Sequence, residues 1–272
     1  MTPPVALTIA GSDSGGGAGI QADLRTFAFH RVHGTSALTC VTAQNTCGVA
    51  RVDALSPEAV TAQMAAVTTD LGVQAIKTGM LLNGAIMAAV AAALGELATV
   101  PLVVDPVMVS RTGAQLIDDD AIATLRSHLL PLATVLTPNR YEAQMLAGFE
   151  IQTLADMERA AQTIRPLGPQ AVLVKGGGMA GDLRGVDVWF DGTGDPVVLR
   201  TATVETSDTH GTGCTLAAAI AANLAWGRSS LMAVQQAKAY VTAALNHALR
   251  LGQGQGPVGH FYPLLSEGLA DH

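Results

Sequence analysis

Aromatic residues make up only 4% of the 272-residue chain, too few to build stacking platforms for single-stranded nucleic acid. Charged residues are also scarce, at 14%, and their balance is acidic, with a net charge of −7. A general nucleic-acid or anionic-membrane partner is therefore not expected, and any bound phosphate must be held by a local device. The three cysteines, Cys40, Cys47 and Cys214, form neither a disulfide framework nor a Cys-x-x-Cys metal pattern. Residues 1–5 lack a basic region ahead of an apolar run, so they do not read as a signal peptide. The longest apolar stretch, Ala85 to Val104, is broken by Gly95, Glu96 and Pro101 and reads as a helix followed by a strand. With 49% hydrophobic residues, the expectation is a globular, cytoplasmic protein with no membrane or nucleic-acid partner.

Glycine, by contrast, is plentiful at 29 residues, and it clusters where apolar runs end. Val5–Ala10 is strand-like and stops at Gly11-Ser12-Asp13-Ser14-Gly15-Gly16-Gly17-Ala18-Gly19, after which Ile20, Leu24 and Phe27 follow at helical spacing. This loop is neither the dinucleotide fingerprint nor a Walker A motif, since no Gly-Lys-Ser/Thr closes it. Residues 35–42, 75–80, 102–106, 134–137 and 171–175 are further strand candidates, 49–55 reads as a short edge segment, and these alternate with helical patterns capped by Ser56, Asn83, Asn139 and Thr153. Residues 185–190 and 196–204 flank Asp191-Gly192-Thr193-Gly194-Asp195 and read as a late antiparallel hairpin. The final long helix is expected from Ser230 to about Leu251. No repeat, linker or domain boundary stands out, so the expected architecture is a single three-layer α/β domain over 1–272 with a mainly parallel sheet.

Ligands of such sheets bind beyond the carboxyl ends of the strands. Lys77-Thr78-Gly79-Met80 and Asp105-Pro106-Val107-Met108 both fall there. Thr209-His210-Gly211-Thr212-Gly213-Cys214 runs into an alanine-rich helix, and the unpaired amides of a helix N-terminus suit an anion. Cys214 in that first turn reads either as an inert buried thiol or as one whose thiolate the helix end favours. Lys175, ahead of Gly176-Gly177-Gly178, is a phosphate contact or a snorkelling surface lysine. Asn139 and Glu142, three apart, suit Mg²⁺, a capping box, or both. Asp23 is a first-turn helix acid or a ligand contact, Gln44 a loop amide or a partner for a heterocycle. Asp118-Asp119-Asp120 reads as a solvated helix start.

Taken together and in order, these motifs resemble the hydroxymethylpyrimidine/phosphomethylpyrimidine kinases of thiamine biosynthesis, within the ribokinase-like superfamily. The resemblance rests on residues 10–23, 41–46, 77–80, 104–108, 136–139 with Glu142, 174–177 and 209–215. It implies ATP-dependent phosphorylation of 4-amino-5-hydroxymethyl-2-methylpyrimidine and then of its monophosphate. It further implies that Gly11, Asp23, Gln44, Met80 and Val107 form the pyrimidine site. Asp105, Asn139 and Glu142 would surround Mg²⁺, while Lys175, Asn139, Thr209, Gly211 and Gly213 would contact ATP. Gly211, Thr212, Gly213 and Cys214 would form the anion hole, with Cys214 where sugar kinases of the superfamily carry an aspartate base. A homodimer is implied, and a monovalent-cation requirement stays open. The chain departs from the pattern at Gly178, where a His is common, at Arg111-Thr112-Gly113, and in a tail of Gly254-Gln255-Gly256 and Gly259-His260-Phe261. Two other readings stand beside this one: a pyridoxal-type kinase of the same superfamily and a catalytically silent pyrimidine binder.

Overall fold

The computed structural model describes residues 2–108 and 119–265. Nine strands among the described residues form one sheet in the order β3-β2-β1-β4-β5-β6-β7-β8-β9. They are β1 (Val5–Asp13), β2 (His33–Asn45), β3 (Gly48–Ala54), β4 (Ala75–Thr78), β5 (Leu102–Val104), β6 (Val135–Leu136), β7 (Ala171–Val174), β8 (Asp187–Phe190) and β9 (Val197–Leu199). The six central strands, from β2 through β7 in spatial order, run parallel. The late hairpin is present, with β8 antiparallel to both β7 and β9. A second antiparallel pair, β2 with β3, closes the other edge. The sequence reads residues 49–55 as a short edge segment but does not disclose its pairing with β2, because Asn45 to Gly48 gives only a short turn signal between two polar-rich strands. For the same reason Gln44 lies inside β2 rather than in a loop beyond it.

Side chains of a strand alternate between faces, and here each face has its own core. Leu7, Ile9, Ile76, Leu102 and Val104 pack against one helical layer. That layer contains α2 (Pro57–Asp70), α3 (Gly84–Gly95), α4 (Asp119–Thr124), α5 (Arg140–Ala147) and α6 (Leu154–Ile164). Ala6, Ala75, Val103 and Leu173 face the opposite layer, made of α1 (Gly19–Phe29), α7 (Thr212–Ala225) and α8 (Ser230–Asn246). A last turn, α9 (Tyr262–Leu265), follows. The result is three layers, helix–sheet–helix.

Helix starts follow the expected chemistry. The Ser56 and Asn83 side chains accept from Ala59 and Ile86 amides, and Asn139 and Thr153 each head a reciprocal capping box. α8 ends at Asn246, five residues short of expectation. There the chain turns back, with the Leu249 amide donating to Pro257 O and the Gly259 amide to Ala244 O. The helix after the acidic run starts at Asp119, while Asp118 and Arg111 to Gly113 lie outside the described residues. Among the described residues, no helix is long and apolar enough to cross a membrane.

Candidate active site

β1 pairs with β2 on one side and β4 on the other; the chain runs from β1 through α1 to β2, then returns from β3 through α2 to β4, so the strand order reverses beside β1 and opens a crevice at its carboxyl end. Gly11 sits there. A Cβ at that position would lie 2.7 Å from Cys40 Sγ and 2.9 Å from Met80 Cε, so the bare backbone leaves the crevice its width. Val107 follows β5 on the same rim and lines a small recess with Gly79, Leu82 and Asp105.

α7 points its N-terminus at this edge. Its cap is Gly211, with φ +81, and a Cβ there would meet Gly17 O at 1.8 Å. Only glycine combines that left-handed backbone with such close contact between two loops. Thr212, Gly213 and Cys214 form the first turn. A Cβ on Gly213 would stand 3.6 Å from Lys175 Nζ and 3.7 Å from Asp105 Oδ2. The anion-receptive helix end and the Lys175–Asp105 pair are thus one locus. Thr209 O accepts from the Thr212 hydroxyl at 2.6 Å, which shapes the loop entering the helix.

Lys175 Nζ donates to Asp105 Oδ1 at 2.8 Å. Burial opposes the lysine's charge, but Asp105 and Glu142 outweigh it and keep the ammonium protonated. Glu142 is itself buried. Its Oε2 accepts from the Asn139 amide at 2.7 Å, while Asn139 Oδ1 accepts from the Glu142 amide at 3.0 Å. Burial first, then the Asp105 charge, push the Glu142 carboxyl up, against the pull of Lys175. Two enclosed acids thus share one lysine, and a cation bound beside them would favour the ionised form of Glu142 that burial and Asp105 now oppose. Among the described residues, no three His, Cys, Asp or Glu side chains converge to hold a metal by themselves. The donor set fits a hard dication held largely by water and phosphate oxygens, with Asp105 and Glu142 beside it. The capping box takes one of the lone pairs that the sequence offered for Asn139.

Two expectations change. Asp23 lies in the second turn of α1 and is fully buried, with Oδ2 accepting from Lys77 Nζ at 2.8 Å and Thr8 Oγ1 at 2.6 Å. Its Oδ1 is enclosed and left without a hydrogen-bond partner. Cys214 does not show the lowered pKa that its helix position suggests. Burial pushes the thiol up to about 11, and Lys77 only partly offsets this.

The sequence places Lys77 at the ligand end of its strand but gives it no role of its own. It is completely enclosed, and Asp23, Cys214 and Asp105 hold it charged despite its burial. The signal was available, since a lysine inside Ala75-Ile76-Lys77-Thr78 has nowhere to snorkel. Asp13 and His210 were also missed as a pair. Asp13 accepts from the Gly15, Gly17 and Ala18 amides and lies 2.9 Å from His210 Nε2. Behind Lys175, Asp187 Oδ1 accepts from the Gly176 amide at 2.9 Å, and Lys238 Nζ of α8 bonds Asp187 Oδ2 at 2.6 Å.

A mainly parallel sheet with an amide-lined helix end and a lysine at its carboxyl edge defines an α/β protein built to hold a transferable anion. The chain belongs to the phosphomethylpyrimidine kinase family, whose sequence profile matches residues 13–259. It is 67% identical over 264 residues to a hydroxymethylpyrimidine/phosphomethylpyrimidine kinase of Synechococcus elongatus, covering 97% of this chain and 100% of that one. Its structure resembles an ADP complex of Bacillus subtilis pyridoxal kinase with a TM-score of 0.89 and 40% identity, over 97% of this chain and 99% of that one. A phosphomethylpyrimidine kinase from Clostridium difficile superposes with a TM-score of 0.80 and 39% identity, over 89% and 99% of the two chains.

Proposed function

We propose that the chain is an ATP-dependent kinase of thiamine biosynthesis. It phosphorylates 4-amino-5-hydroxymethyl-2-methylpyrimidine to the monophosphate, and then the monophosphate to the diphosphate. The observation that carries this reading is the meeting of α7's first turn with Lys175 and Asp105, in a chain so similar to kinases of that name.

Phosphoryl transfer needs alignment and charge stabilisation more than covalent help. The amides of Gly211 to Cys214 and the Lys175 ammonium supply positive potential around the oxygens of the transferring group. Gly11, Met80, Val107 and Gln44 hold the pyrimidine so that its alcohol points toward that potential, and Asp23 supports the floor beneath. Thr209 and Asn139, next to Gly211 and Lys175, border the nucleotide side. Asp105 and Glu142 would hold Mg²⁺, which when bound supplies charge neutralisation to the phosphates. Cys214 accepts the alcohol proton in the first step. The second acceptor is a phosphate, already anionic, and needs no such group.

Pyridoxal kinase is the second reading, supported by the structural likeness to that enzyme. The test is to incubate the protein with Mg·ATP and each alcohol and follow product mass. Pyrimidine diphosphate supports the proposal. Pyridoxal 5′-phosphate as the much faster product would replace it, and no turnover at all would leave a silent binder. The enzyme is further proposed to work in the cytoplasm as a single-domain homodimer. Strand β3 supports the dimer, because every residue of it is exposed, including Val49 and Val52. Sedimentation equilibrium at one chain mass would remove that part.

A further inference from the structure

The Gly-rich loop after β1, the end of β2 and the loop before α7 meet at one imidazole. His210 Nε2 lies 2.9 Å from Asp13 Oδ2 and 3.5 Å from the Gln44 amide. The other atom of that amide is 3.3 Å from Thr42 Oγ1. A Cβ on Gly17 would collide with the imidazole, at 2.2 Å from Cδ2, so the ring lies directly on the loop.

The proton positions follow from chemistry. Asp13 is buried, but His210 and the amides of Ala18 and Gly15 hold its carboxyl below the usual range, so it is an acceptor only. His210 Nε2 must therefore carry a proton and donate it to Asp13. The single Thr42 hydroxyl proton is committed at 2.7 Å to Ser12 O. With the Gln44 nitrogen toward His210 and its oxygen toward Thr42, donor faces donor and lone pair faces lone pair. With the amide turned over, the clashes are removed: the oxygen faces the Nε2–H that Asp13 holds and takes the longer arm of a three-centre bond at 3.5 Å, and the nitrogen donates to Thr42. The two amide ends are nearly alike in size, so the network rather than shape decides which is which.

We propose that Asp13 and His210 fix the polarity of the Gln44 amide, making His210 a positioning residue that determines which heterocycle the site prefers. Gln44 then presents its remaining lone pair and remaining N–H in a set order. An aminopyrimidine, with an amino donor beside a ring-nitrogen acceptor, matches such a pair in one orientation. Pyridoxal has no donor beside its ring nitrogen, which is flanked by a C–H and a methyl-bearing carbon, so it does not match the pair in this way. This inference rests on the proposed pyrimidine site.

The test is calorimetric binding of the aminopyrimidine alcohol and of pyridoxal to the wild type, His210→Phe, His210→Gln and Thr42→Val. His210→Phe keeps a ring without the donor, and the expected result is about tenfold weaker pyrimidine binding, the effect of one lost hydrogen bond, with pyridoxal changed less than twofold. His210→Gln places an amide nitrogen where the imidazole donor was and should recover pyrimidine binding to within about threefold of wild type. Thr42→Val, nearly isosteric, should weaken the pyrimidine selectively even if His210→Phe fails to fold. The proposal is overturned by unchanged pyrimidine binding in His210→Phe, by equal weakening in the Phe and Gln variants, or by equal loss of both ligands. A wild type that binds no pyrimidine sinks the functional reading itself, which is a different result from any of these.

Discussion

Lys175 Nζ and Asp105 Oδ1 stand 2.8 Å apart across the width of β6, joining the ends of β5 and β7 under the first turn of α7. The pair sets the charge of the proposed phosphoryl site. Lys175→Met leaves Asp105 and Glu142 facing each other with no cation between them. The expected outcome is a fall in kcat/KM on the order of 10²-fold or more for both steps, read by steady-state assay. Activity within threefold of wild type would remove Lys175 from the mechanism.

Cys214 gives a pH prediction. Its thiol is pushed up to about 11 by burial, and only the thiolate can accept a proton. Between pH 7 and 9.5 the rate of the alcohol step should therefore rise with pH, because the deprotonated fraction grows toward that pKa. The monophosphate step should stay flat. Cys214→Ala should lower the alcohol step on the order of 10²-fold, abolish its slope and spare the second step. A Cys214→Ala enzyme with full alcohol activity would refute the base assignment.

His260 gives a prediction for stability. Its Nε2 lies 2.9 Å from Thr215 Oγ1 in α7, and burial, aided by Arg25, lowers its pKa to about 4. The folded state binds this proton less readily than the unfolded chain, whose histidine titrates near 6.5. Stability from this group is complete above that value and is lost as pH falls toward 4, by at most about 3 kcal/mol. Urea melts of wild type and His260→Asn at pH 7.5 and 5 should converge at the lower pH. Parallel shifts in the two proteins would exclude His260 as the source.

Lys238→Met strands Asp187 inside the protein without its cation, a change of the kind that costs about 3–5 kcal/mol. Thermal melts should show a large drop. The double variant with Asp187→Asn should regain much of it, since Asn can still accept from the Gly176 amide. A single variant as stable as wild type would show that the pair does not hold this loop.

What the sequence disclosed depended on range. Strands with their own apolar run and caps written as Ser56, Asn83 or Asn139 are local features and could be placed directly. Glu142 was legible for the same reason, since its partner Asn139 is three residues away. The environment of Asp23 in α1 was not legible, because it is made by Lys77 of β4 and Thr8 of β1. The Cys214 thiol illustrates a competition of effects. Its place at a helix start is visible in sequence and favours the thiolate, but the burial that wins, and the nearby charges of Lys77, Asp23 and Asp105, come from distant parts of the chain. Gln44 was placed in a loop because the polar run 43–46 resembles one, whereas pairing with β3 keeps it extended.

The sequence separation of 197 between Asp13 and His210 bears on how the protein is made. During synthesis from the N-terminus, β1, β2 and β4 are available long before α7. A nascent chain that stops short of residue 210 can pair its parallel strands, yet Ala6, Phe27, Ala75 and Val103 have no α7 or α8 to cover them. The ligand site and the second core face therefore arrive together and late. A C-terminally truncated chain is expected to be both inactive and sticky, engaging chaperones through that bare sheet face.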